Sequence, residues 1–137
     1  MTQEDKELLT KDLCARLPYG VKVEYKNEIF DVEHVSPMYE EVKLDTYETW
    51  TIDVSDIKPY LFPLSRLNSL TDEQKKTLKV LCDWNDEEAD AQSILVLYQK
   101  HFVMKSDVID WLHKNHFDYR GLIEKGLAID ATGLNIY

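Results

Sequence analysis

The chain has 137 residues, 44% hydrophobic and 31% charged, the make-up of one ordinary globular domain long enough to bury a core. Its 26 acidic against 16 basic side chains give a net charge of −10. That charge repels phosphates, so direct binding of DNA or RNA and adhesion to anionic membranes are disfavoured, while a basic protein partner is permitted.

The start, MTQEDKELLTKDL, has no basic n-region and no apolar h-region. The longest apolar run, residues 94–98, is far too short to span a bilayer, so a soluble, cytoplasmic chain is expected. Cys14 and Cys82 each fall beside leucines in predicted helices and read as reduced, buried thiols.

Thr2 can cap a first helix, with Asp5 three positions on, and Leu9, Leu13 and Leu17 form a stripe at four-residue spacing. Leu17-Pro18 ends it and Tyr19-Gly20 turns the chain. Val21, Val23 and Tyr25 then alternate with polar residues, and Lys26-Asn27-Glu28 reads as a tight turn. Phe30 and Val32, then Val42 and Leu44, then Trp50, Ile52 and Val54 continue the period of two, with Ser36-Pro37 breaking the second run. Four short strands with turn signals between them predict an antiparallel meander with one wet face. Such a sheet must curl or be covered, as an SH3-like barrel or as a curved sheet under the first helix.

Val54-Ser55-Asp56-Ile57 reads as a single helical turn. Lys58-Pro59-Tyr60-Leu61-Phe62-Pro63 reads as an edge strand or strap, because neither proline can donate to a ladder. The character then changes. Thr71-Asp72-Glu73-Gln74 is a capping box ahead of Leu78, Leu81 and Cys82. Residues 90–104 fit a helix, although the run at 94–98 fits a strand equally. Ser106 is placed as the cap of a last helix with Val108, Ile109, Leu112 and His116 inward. The fold class is therefore α+β: one domain over residues 1–137, β-rich at 19–63 and mainly helical at 64–137. Its expected core holds Leu9, Leu13, Leu17, Val23, Phe30, Trp50, Ile52, Leu78, Leu81, Leu95, Leu112, Leu122 and Leu127.

Three stretches, MTQEDKELLTKDLCARLPYGVKV, DIKPYLFPLS and WLHKNHFDYRGLIEKGLAIDATGLNIY, resemble a family of small uncharacterised proteins of Bacteroides-group bacteria and their prophages and other mobile elements. The resemblance implies a mobile-element setting and a cytoplasmic life. It brings no functional residues with it.

His113 and His116, three apart on one predicted helix with Asp110 and Asp118 nearby, could share a face and bind a transition metal. No third strong ligand lies near in sequence. The plainer reading puts His116 at a core edge and His113 in solvent at a helix C-terminus, and no metal or cofactor is expected. There is no phosphate-cradling glycine loop, no GxSxG and no HExxH, so no catalytic residue is assigned.

Candidate interaction residues are Trp50, Tyr60, Phe62, Trp111, Tyr119 and Arg120. Tyr119 and Arg120 are either an exposed recognition pair or an internal tie to an acidic partner. Glu40, Glu41, Asp45, Glu48, Asp86, Glu87, Glu88 and Asp90 could instead line up as a phosphate mimic. The expectation is a non-catalytic protein-binding accessory factor of a mobile element, monomeric or homodimeric. The alternatives are an acidic DNA-mimic inhibitor of a nucleic-acid enzyme and an enzyme of unknown chemistry.

Overall fold

The computed structural model describes residues 1–45, 51–82, 92, 95 and 105–137. Helix α1, Gln3–Arg16, opens with the expected capping box: the Thr2 hydroxyl accepts from the Asp5 amide, and the Asp5 carboxylate accepts from the Thr2 amide. Its buried positions are Leu9, Thr10, Asp12, Leu13 and Arg16, so the hidden face mixes charge with hydrocarbon. A 3-10 turn, Leu17–Tyr19, follows with Pro18 early in it.

Five antiparallel strands come next: β1 Lys22–Tyr25, β2 Glu28–Ser36, β3 Glu41–Leu44, β4 Ile52–Asp53 and β5 Lys58–Pro63. Their order is β4-β3-β2-β1-β5, with the 3-10 turn Val54–Asp56 leading from β4 into β5. The α+β class expected from the sequence holds, with a helix ahead of a sheet of several strands. Lys26 and Asn27 join β1 to β2 with φ of 49° and 64°, the left-handed geometry that a two-residue hairpin turn requires. In β2 the buried side chains are Phe30, Val32 and then Val35. The phase changes because the pairing with β3 shifts register between Val32 and His34, and a one-residue slip exchanges the faces of a strand.

The expected edge position of β5 is corrected. Pro59, Tyr60 and Leu61 are buried in a row, as in a strand covered on both faces. On one side β5 pairs with β1, antiparallel. It also pairs with two short parallel strands, β6 Phe117–Asp118 and β7 Ile129–Asp130, so the sheet is mixed. Two residues each are too few to show a period in sequence.

Helix α2, Asp72–Leu81, starts at the Thr71–Gln74 capping box. Helix α3, Ser106–Lys114, has Lys105 as its N-cap, and no side chain caps its first amides. Ser106 is thus the first helical residue rather than the cap, because the Lys105 carbonyl accepts from Val108 and Ile109. Gln92 and Leu95 are helical; the remainder of 90–104 lies outside the described residues.

Two apolar clusters result. The first gathers α1 and the strands with Leu122, Leu127 and Ala128; the second gathers Leu67, Leu78, Cys82, Leu95, Val108, Leu112 and Phe117. Of the expected core, Leu17 and Leu81 are only partly buried and Trp50 lies outside the described residues. Each fully buried leucine contributes about 2 kcal/mol. Cys14 and Cys82 are thiols that form no disulfide with each other, and burial pushes the Cys14 thiol up.

Candidate functional site

Asp12 and Arg16 stand one turn apart on α1, and both side chains are 0% exposed. Arg16 Nε donates to Asp12 Oδ2 at 2.7 Å, and Nη2 donates to the Phe117 carbonyl at 2.6 Å. The other carboxylate oxygen, Oδ1, accepts from Arg120 Nε at 3.0 Å. Arg120 Nη2 donates to the Tyr119 hydroxyl at 2.8 Å, and that hydroxyl lies 2.8 Å from His113 Nε2. A hydroxyl that accepts from a guanidinium has its own proton left for the imidazole, which fits an unprotonated Nε2.

The electrostatics agree. Burial lowers the His113 pKa below its ordinary value, and Arg16 and Arg120 push the same way. Burial raises that of the Tyr119 phenol. His113 is therefore buried and neutral, which corrects the expected solvated ring at the helix end. The charge ledger is one carboxylate for two guanidiniums, and Arg16 Nη1 is buried without a partner. Asp118 adds order by accepting from the amides of Arg120, Leu122 and Ile123.

A second junction lies beside it. His116, at φ 64° just past α3, stacks on Tyr137 with ring centroids 3.5 Å apart. The Tyr137 hydroxyl accepts from the Lys22 amide and donates to the Tyr60 carbonyl. His113 and His116 thus turn to different partners, and no group of three or more possible metal ligands forms among the described residues.

The sequence-selected residues are mostly engaged internally. Tyr60 is buried and unavailable at the surface, a correction that follows from the central position of β5. Phe62 is half-buried, with its ring 4.1 Å beneath the Arg66 guanidinium carbon. Trp111 is half-buried and stacks on Phe117 at 5.8 Å. Tyr119 and Arg120 belong to the Asp12 cluster. Of the acids, Glu40 accepts from Gln3, Asp45 accepts from the Asp31 amide, and Glu41 lines a shallow groove with His34 and Lys43. Trp50, Glu48, Asp86, Glu87, Glu88 and Asp90 lie outside the described residues.

The exposed apolar side chains are elsewhere. Met38 is 82% and Tyr39 69% exposed, on the turn that joins β2 to β3. Beside them, a groove of about 520 Å³ separates this turn from α1, lined by residues that include Glu7, Lys11, Cys14 and Glu40. Glu40, at φ 53°, has Oε2 buried without a partner. The signal was present in the sequence: an apolar pair placed in a turn between alternating strands has no core to enter.

No helix among the described residues is long and apolar enough to cross a membrane. The chain matches no protein-family model, no curated protein and no solved structure.

Proposed function

We propose that the protein is a non-catalytic binding factor that docks a protein partner on the 37–40 turn and the adjoining face of α1, acting as an accessory factor of a mobile element. The exposure of Met38 and Tyr39 on a short turn between two ladder-paired strands carries this reading. Two adjacent apolar side chains on a preorganised turn present an anchor at little ordering cost. Glu40 and Glu7 beside them suit a partner with a basic residue at the rim, in keeping with the net charge of −10.

The test is capture from the native host with wild-type protein and with Met38→Ser/Tyr39→Ser, at low and high salt. A stoichiometric partner that survives salt and is lost with the double variant supports the reading. A partner retained by the variant, or one released by salt alone, overturns it.

A further inference from the structure

A different groove, also about 520 Å³, opens where β5, the 3-10 segment Leu64–Ser69, the start of α2 and the end of α3 meet. We propose that it is a binding site for a small phosphate-bearing ligand. Among the described side chains that line it there is no carboxylate, in a chain with 26 acids. Glutamates line both other grooves described above.

The cations are Arg66 and Lys114. Of the chain's three arginines, Arg16 and Arg120 are spent on Asp12, whereas Arg66 has no carboxylate partner among the described residues. The Phe62 ring beneath its guanidinium carbon holds the fork at the groove wall. Lys114 stands exposed on the rim. Gln74 is oriented as a donor: its Oε1 accepts from the Thr71 amide and hydroxyl in the capping box, which leaves Nε2 for a ligand. In the same wall, His116 Nδ1 is buried and has no partner. Guanidinium, ammonium, amide and the Ser69 hydroxyl together match the several oxygens of a tetrahedral anion. Phe62, Phe117 and Tyr137 supply an apolar wall for the remainder of the molecule.

Size and charge decide the class. A volume in this range holds a small molecule. The net charge of −10 opposes a polyanion such as nucleic acid but not one phosphate in a locally positive groove.

The test is an amide and side-chain NMR titration of the full chain with three probes: inorganic phosphate, adenosine 5′-monophosphate and adenosine. Saturable shifts at Arg66, Gln74 and Lys114 with the two phosphate probes, absent with adenosine, are expected. Tighter binding of the monophosphate identifies a phosphate carried on a ring-bearing molecule; equal binding identifies free phosphate. Arg66→Met, which keeps an apolar stem over Phe62, should weaken binding about tenfold or more while leaving the ligand-free melting temperature unchanged. Shifts absent up to about 10 mM phosphate probe, adenosine binding as well as its monophosphate, or unaltered affinity in Arg66→Met would overturn the proposal.

Discussion

Arg16 and Arg120, 104 positions apart in the chain, divide one carboxylate between them: each donates from its Nε to a different oxygen of Asp12. Arg16 is wholly buried, while the Arg120 side chain retains 17% exposure. The two bonds are therefore unequal in what they protect.

Asp12→Ala should be the most damaging single change in this cluster. It strands a fully buried guanidinium, which typically costs about 3–5 kcal/mol. Arg120→Ala should cost less, about 1–3 kcal/mol, because the freed Asp12 oxygen still belongs to a carboxylate held by Arg16. Urea unfolding of the two variants checks the order. The double change Asp12→Leu/Arg16→Met should recover most of the loss, since apolar replacement of a buried pair is often neutral.

Acid should weaken the fold through His116. Burial, then Arg16 and Lys22, push its imidazole from 6.5 down to about 4. Over that window the unfolded chain takes up a proton that the folded chain refuses, so this contribution is complete above pH 6.5 and is lost as pH falls toward 4. His113, lowered for related reasons, acts in the same direction. His116→Asn, which tolerates the positive φ, should flatten the slope of unfolding free energy against pH in this range without abolishing it. An unchanged slope would refute the assignment.

Alkali should act through Tyr137, whose phenol burial pushes up to about 12. The unfolded phenol ionises near 10 and the folded one does not, so stability falls as pH rises between those values. Tyr137→Phe should remove this loss. At neutral pH it should cost about 1–2 kcal/mol, because the Lys22 amide and the Tyr60 carbonyl lose their shared partner.

The hairpin turn offers a backbone test. Asn27→Ala places a Cβ-bearing residue without a local polar side chain at φ 64°, at a cost of about 1 kcal/mol, whereas Asn27→Gly should be close to neutral. Thermal melts of the pair separate the two.

Local chemistry made much of this fold readable. The capping boxes at Thr2 and Thr71, the turn at Lys26-Asn27 and the alternation of Val42 with Leu44 all act within a few residues, and the structure follows them. The cluster was less readable. Asp12 and Arg16, spaced by four on a helix, resemble an ordinary solvated ion pair until residues 117–123 close over them. Arg120 showed a choice between an exposed hot spot and an internal tie, and only the chain path across α1 places it against Asp12. The Met38–Tyr39 surface is legible as an apolar pair in a turn, whereas several of the other aromatic candidates are occupied by their neighbours. The Arg66 groove joins residues from five segments, and no spacing rule could assemble it.

The division of the apolar clusters has a consequence for how the chain matures. Leu122, Leu127 and Ala128 complete the cluster built on α1 and the strands, and Arg120 completes the charge pairing of Asp12. During synthesis the amino-terminal unit therefore emerges with its interior unroofed. It acquires its last buried neighbours only when residues 117–131 dock onto β5. Closing so long a loop is slow, so the ribosome-bound intermediate should be sticky and protease-sensitive until synthesis has passed residue 131. Docking of residues 117–131, rather than formation of any earlier strand or helix, is the step that closes this interior.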